Sequence, residues 1–210
     1  MKRTTVNRWI LYCTGIVILA LGLTLNTKSN LGVSPIISVA YFFSEKTGIT
    51  FGDVTFVYYC LFVVVELILE RDWKALLQIP FSIVFTRFMN LFADVLSFTC
   101  TGYVSRFAVL LLAIVCTGIG AALTVNMKIV PNPGDGLVKT VADRAGKEMG
   151  ITKNVFDACC ITLTLILGFL SGMPFCGIGI GTVCAMLGVG RVISFVNNHC
   201  SKKLNELTGL

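Results

Sequence analysis

Val130-Pro131-Asn132-Pro133-Gly134-Asp135-Gly136-Leu137 decides how this chain is read. Two prolines, two glycines and two polar residues interrupt a strongly apolar sequence there. A counterpart lies roughly one hundred residues earlier, at Asn30-Leu31-Gly32-Val33-Ser34-Pro35. The two breaks read as one element used twice, with a binding site between them.

The surroundings of the breaks fix the class. Hydrophobic residues make up 55% of the chain and charged residues 13%, and mean hydropathy is +0.85. A soluble domain with so few charges could not cover its surface. Apolar runs at Trp9–Leu25, Val54–Leu69, Leu77–Phe98, Phe107–Val125, Val155–Leu170 and Gly177–Val196 approach the roughly 20 residues that cross a bilayer as a helix. The first run follows Lys2, Arg3 and Arg8 but ends at no small-x-small cleavage site, so it reads as a helix rather than a signal peptide. Two segments remain. Val33–Ser44 is too short to cross, and Asp135–Glu148 carries Lys139, Asp143, Arg144, Lys147 and Glu148, too many charges to face lipid.

The halves then align. Thr24-Leu25-Asn26-Thr27-Lys28 matches Thr124-Val125-Asn126-Met127-Lys128, and Gly32 matches Gly134. Val39-Ala40 matches Val141-Ala142, and Gly48-Ile49-Thr50 matches Gly150-Ile151-Thr152. Arg87, Asn90 and Asp94 match Arg191, Ser194 and Asn198. The expectation is an all-α membrane protein of six transmembrane helices. It is built as two inverted three-helix repeats, residues 1–105 and 106–210, each with a broken or re-entrant short helix, at 33–45 and 135–148. Lys and Arg collect on one side. With a cytoplasmic N-terminus, Lys2, Arg3, Arg8, Arg71, Lys74, Lys128, Lys139, Arg144, Lys147, Lys153, Lys202 and Lys203 lie inside, against Lys28, Lys46 and Arg106 outside. Both termini are then cytoplasmic, and the net charge of +6 calls for no nucleic acid.

Arg87 lies at the centre of its apolar run, where an arginine costs at least ~2.5 kcal/mol on insertion scales. Residues three, four and seven apart share a helix face. Arg87, Asn90 and Asp94 thus form one polar stripe, and Arg191, Ser194 and Asn198 its mirror. Two guanidiniums on a common cavity suit carboxylate, sulfate or phosphate oxygens. The breaks agree: Ser34 with Pro35, and Asn132 or Asp135, fit helix starts, which attract anions. Gly32, Gly134 and Gly136 would let backbone approach a ligand. Equally open are internal struts, Arg87 with Glu66 or Asp94 and Arg191 with Asp157 or Asp135. Glu66 is either such a partner, the preferred reading, or a proton-coupling group.

Other signals are weaker. Most of the nine cysteines sit in apolar runs without metal spacing, although Cys100 and Cys176 both fall in outer loops. Gly177-Ile178-Gly179-Ile180-Gly181 lacks the lysine of a nucleotide loop and suits close packing. Trp9, Tyr12, Trp73 and Tyr103 fit interfacial anchors. No catalytic, metal or cofactor set emerges, so the chain is not read as an enzyme.

Leu31-Gly32-Val33-Ser34-Pro35, Asn132-Pro133-Gly134-Asp135-Gly136-Leu137, Gly150-Ile151-Thr152 and Gly179-Ile180-Gly181-Thr182 together resemble the bacterial YczE/YitT-like family of small integral membrane proteins. The resemblance implies a bacterial cytoplasmic membrane location and little about activity. Relatives tend to have Gly-Pro where this chain has Gly190-Arg191. The expected function is a carrier or channel for a small anionic solute. The alternative is a non-transporting membrane partner whose arginines are structural. Expected partners are the bilayer, the anion and, as a further option, a second copy in a homodimer.

Overall fold

The computed structural model describes residues 2–147 and 149–209. Glu148, the expected end of the second short helix, lies outside the described residues, as do the side chains of Lys2, Arg3 and Lys202, which enter the charge bias. Helices dominate: α1 Lys2–Lys28, α2 Ser38–Thr47, α3 Phe51–Glu70, α4 Gln78–Val95, α5 Tyr103–Asn126, α6 Pro133–Ala145, α7 Met149–Leu170 and α8 Ile180–Thr208. A 3-10 turn, Pro35–Ile37, leads into α2, and another, Trp73–Leu77, leads into α4.

Among the described residues, six helices are long and apolar enough to cross a membrane: Thr4–Lys28, Phe51–Glu70, Trp73–Val95, Tyr103–Asn126, Ile151–Leu170 and Ile180–Cys200. These are the six expected runs with shifted ends: most are extended, but the third stops at Val95 rather than Phe98 and the sixth starts at Ile180 rather than Gly177. Apolar side chains on their outer faces, such as Val57, Leu61, Ile68, Leu111 and Phe195, are exposed. That is the pattern of a bundle solvated by lipid rather than water.

α1 and α5 form the buried centre and make the most extensive helix pairing in the molecule. Small residues permit it. A Cβ on Gly15 would lie 2.9 Å from Leu123 Cβ, and one on Gly120 would lie 2.7 Å from Leu19 Cα. Close backbone approach replaces the hydrophobic drive that lipid cannot supply. Arg8 and Tyr12 of α1 tie down the chain after α5. Arg8 donates to the carbonyls of Met127 and Lys128, and Tyr12 Oη donates to Val130 O at 2.9 Å. Tyr12 is therefore a buried anchor, 2% exposed, and not the interfacial belt residue its position suggested.

The short helices pack across the halves. α2 rests on α3 and α7; α6 rests on α7 and α3. Ser38 of α2 shares a hydrogen bond of 2.7 Å with Thr164 of α7, and Thr140 of α6 donates to Glu70 of α3 at 2.7 Å. One feature breaks this balance. α3 and α4 pack together beyond a tight turn, whereas α7 and α8 scarcely touch. The segment joining α7 to α8 instead docks on the first break. Val33 N donates to Gly177 O at 2.8 Å, and Gly181 N donates to Leu31 O at 2.7 Å. Gly32, at φ +114°, faces Thr182 and Gly179 so closely that a Cβ would collide with both. The glycine-rich stretch at 177–181 thus serves close packing, against the first break.

Candidate functional site

The two breaks meet. A Cβ on Gly134 would lie 2.7 Å from Ile36 Cδ1, so the start of α6 rests directly on the turn that opens α2. Asn132 occupies the position before α6 and Ser34 the position before the 3-10 turn, each followed by proline. Neither side chain caps its helix, which corrects the expectation for Ser34 and Asn132. Asp135 lies inside the first turn of α6 and not at its cap. Instead, Asn132 Nδ2 donates to Tyr59 Oη at 3.3 Å. The start of α6 therefore presents uncapped N–H groups and a positive dipole end, whereas at the first break the N–H groups of Ile37 and Ser38 donate to Ser34 O and Pro35 O within the 3-10 turn.

Between them lies a cavity of about 40 Å³. One water centre needs roughly 10–15 Å³, so the space holds two or three waters. Its polar lining comes from Ser34, Tyr59, Thr117, Asn132, Asp135, Lys153 and Asp157, and its apolar wall includes Leu19, Leu23, Val189 and Ile193. Lys153 Nζ lies 3.7 Å from Asp135 Oδ1, both side chains mostly buried. Asp157 follows Lys153 by one helical turn, on the same face of α7. It is 2% exposed, and its Oδ1 has no hydrogen-bond partner. Thr117 Oγ1 is likewise buried without one. Two carboxylates thus face one ammonium, and two polar atoms stand ready for a ligand that donates. Leaving such atoms unpaired costs about 1–3 kcal/mol each.

The arginines are elsewhere. Arg87 Nη1 pairs with Asp53 Oδ1 at 3.0 Å, with Arg87 68% exposed. Asn90 joins them: its Nδ2 donates to the same Asp53 oxygen at 3.3 Å, and its Oδ1 accepts from Gly52 N at 2.9 Å. Asp53 lies in the first turn of α3, so this cluster sits at one end of the bundle and not at its middle. Arg191, Ser194 and Asp94 are exposed. α4 packs on α1 and α3, and α8 packs mainly on α5. Neither arginine lines the cavity between the breaks, and Arg87 takes Asp53 as its partner in place of Glu66 or Asp94. Arg191 makes no ion pair among the described residues, so Asp157 and Asp135 are left to Lys153.

Glu66 is buried, at 5% exposure, and both its oxygens accept from Gln78 Nε2 at 2.9 Å. Gly136 presses on this pair: a Cβ there would lie 2.8 Å from Glu66 Oε2. The glycines at both breaks thus serve helix-to-helix approach. Cys100 and Cys176 are both free thiols.

Sequence reasoning reaches Ser34, Asn132, Asp135 and Asp157 but misses Lys153, Tyr59 and Thr117. An apolar run that begins at Val155 leaves Lys153 in a loop, although the helix starts earlier. The available signal is the i, i+4 spacing of Lys153 and Asp157, two charges at the mouth of a crossing helix.

Six membrane-long helices, with a charged cavity lined by all of them but α4, make this a multi-pass integral membrane protein. The chain belongs to a family of unknown function, DUF6198, whose model matches residues 6–198. It is 29% identical over 199 residues to the uncharacterized membrane protein YczE of Bacillus subtilis (strain 168), covering 93% of this chain and 87% of that one. It is 26% identical over 188 residues to the uncharacterized protein YyaS of the same organism, covering 89% and 90%. The chain is thus YczE-like, as its two breaks suggested. No solved structure matches it.

Proposed function

We propose that this protein is a secondary carrier that binds a small solute between its two helix breaks. The observation that carries the reading is the unpartnered Oδ1 of Asp157, buried in a cavity lined by both breaks. A structural carboxylate would be satisfied on both oxygens. The matching cross-packing of α2 and α6 on α7 and α3 supports inverted halves with re-entrant short helices, a plan that puts substrate sites where broken helices meet. On this reading both termini are cytoplasmic and the membrane is a bacterial cytoplasmic membrane.

The ligand chemistry follows from the lining. Asp157 and Asp135 outnumber Lys153, which disfavours a simple anion. The anionic solute suggested by Arg87 and Arg191 keeps only the start of α6 and Lys153 in its support. A small amine-bearing zwitterion uses both signs of charge, its ammonium on Asp157 and its anionic group on the α6 N-terminus. Closure around a few waters reads as an occluded state that opens to admit the solute.

The test is thermal unfolding in detergent with a panel of amino acids, amines and small anions, on wild type, Asp157→Asn and the Arg87→Ala/Arg191→Ala double variant. A ligand at a hundredfold excess over its Kd stabilises by about 2.7 kcal/mol. The expected result is a shift by a zwitterion that survives the arginine changes and vanishes in Asp157→Asn. A shift by anions that depends on the arginines would reject the site. A second reading, a non-transporting membrane partner, draws on the exposed Arg87–Asp53 pair as a strut; it expects no shift from any small solute.

A further inference from the structure

A second pocket lies under the α3–α4 turn. It measures about 300 Å³, and its floor is formed by Glu66, Gln78 and Gly136. Glu66 has no cationic partner within ion-pair distance among the described residues. One amide N–H group serves both of its oxygens, while Gln78 Oε1, on a residue 2% exposed, has no hydrogen-bond partner. This is the arrangement of an ionised carboxylate with one place unfilled. A proton on Glu66, with the amide swung so that both its O and its NH₂ face the carboxyl, would give two reciprocal bonds, O–H to Oε1 and Nε2–H to the carbonyl. A small cation would instead sit between carboxylate and amide oxygens, the ligands hard cations prefer. Either occupant satisfies the orphaned atom.

The charged groups facing Glu66 come from three elements. Glu70 is one turn further along α3 and Lys139 and Asp143 project from α6, while Asp72 and Lys74 rim the turn before α4. Lys139 is exposed. Asp72 and Lys74 pair with each other at 3.7 Å, and Arg144 of α6 donates to Leu69 O beside Glu70, so the mouth carries both signs of charge.

α6 links this pocket to the solute cavity. Asp135 lines the cavity, and its neighbour Gly136 rests on Glu66 and Gln78. Consecutive residues of one broken helix therefore touch both sites. We propose that Glu66, with Gln78, is a coupling site for a monovalent cation, a proton or Na⁺, whose occupancy is felt at the solute cavity through Asp135 and Gly136. The coupling role rests on the carrier reading; the cation site does not.

Dicyclohexylcarbodiimide tests the site without knowledge of the solute. It reacts with a protonated carboxyl in an apolar setting: the acid proton moves to a carbodiimide nitrogen, the carboxylate adds to the central carbon, and the acyl group migrates to nitrogen with nothing lost. Detergent-solubilised protein is treated between about pH 5 and about pH 9, the span over which buried carboxylates are known to titrate, and adducts are mapped by peptide mass spectrometry. The expected result is an adduct at Glu66 that declines as pH rises and is absent in Glu66→Gln. Replacing choline by Na⁺ at constant ionic strength slows labelling severalfold if the ion is sodium and leaves it unchanged if it is the proton. Access is checked with Gln78→Cys and a water-soluble maleimide, the modified peptide again being mapped. If the thiol of the Gln78→Cys variant takes up maleimide but Glu66 of the wild type gains no adduct, the site is overturned. If that thiol stays unmodified, the aqueous route fails and the proposal with it. Labelling of Glu66 alongside a solute panel with no shifts would keep the cation site and reject the carrier.

Discussion

Replacing Lys153 by methionine is the most direct perturbation of the cavity. The side chain keeps its unbranched stem, one atom shorter, but loses the ammonium 3.7 Å from Asp135. It leaves Asp135 and the deeply buried Asp157 facing each other without a countercharge. Removing one member of a buried pair costs about 3–5 kcal/mol. Lys153 and Asp135 keep 25% and 19% of their side-chain surface, so solvent screening sets the expectation at the low end, about 3 kcal/mol. For a chain of this length each kcal/mol moves Tm by about 2–4 °C, which makes the expected loss roughly 6–12 °C in detergent. The assay is a thermal double-mutant cycle of Lys153→Met with Asp135→Asn. The second change removes the stranded charge and should recover part of the loss, with a coupling of about 1–3 kcal/mol. A Lys153→Met protein melting within about 2 °C of wild type, less than one kcal/mol on the same scale, or a cycle with no coupling, would refute the claim that this ion pair is buried and structural.

Other substitutions separate strength from use. Asp157→Asn should leave Tm unchanged or raise stability by up to about 1–2 kcal/mol, because it removes a charge with an unpaired oxygen, the trade expected where a site sacrifices stability for function; a loss like that of Lys153→Met would make Asp157 a strut. Arg87→Ala should cost at most about 1 kcal/mol, since exposed ion pairs contribute little, and should leave ligand-induced shifts intact. Gly136→Ala should cost about 1–3 kcal/mol by overpacking against Glu66 and Gln78, measured by melting; an unchanged Tm would mean α6 does not rest on that pair. Tyr12→Phe should cost about 1–1.5 kcal/mol through the lost bond to Val130 O, with no change at the interface with lipid.

Much of this architecture can be read from apolar run length and from Pro-Gly punctuation. The six crossings and both breaks follow from the roughly 20-residue requirement and from the cost of freed backbone in lipid. The site is less accessible to that logic. Arg87 looks central in an apolar run, yet its depth is set by the partner helix, which places Asp53 beside it at a helix end. Whether Arg87 and Arg191 converge depends on which helices pack together, and one-dimensional spacing does not contain that information. Lys153 escapes through a boundary error of a few residues, the least certain part of any such reading. Tyr59 and Thr117 carry no signal in an apolar helix, because what distinguishes them is the cavity they border.

The unequal hairpins bear on how such a molecule would move. α3 and α4 pack against each other, while α7 and α8 scarcely touch, with the intervening segment propped against Leu31 and Val33. On the proposed plan of two inverted halves, each pair of helices can take up the other's arrangement. Trading conformations between them, so that α7 and α8 pack together while α3 and α4 part, is a motion by which the proposed carrier would leave its occluded state. Cysteine pairs engineered between α7 and α8 would trap that exchanged form, and their failure to cross-link under any condition would mean the asymmetry is permanent.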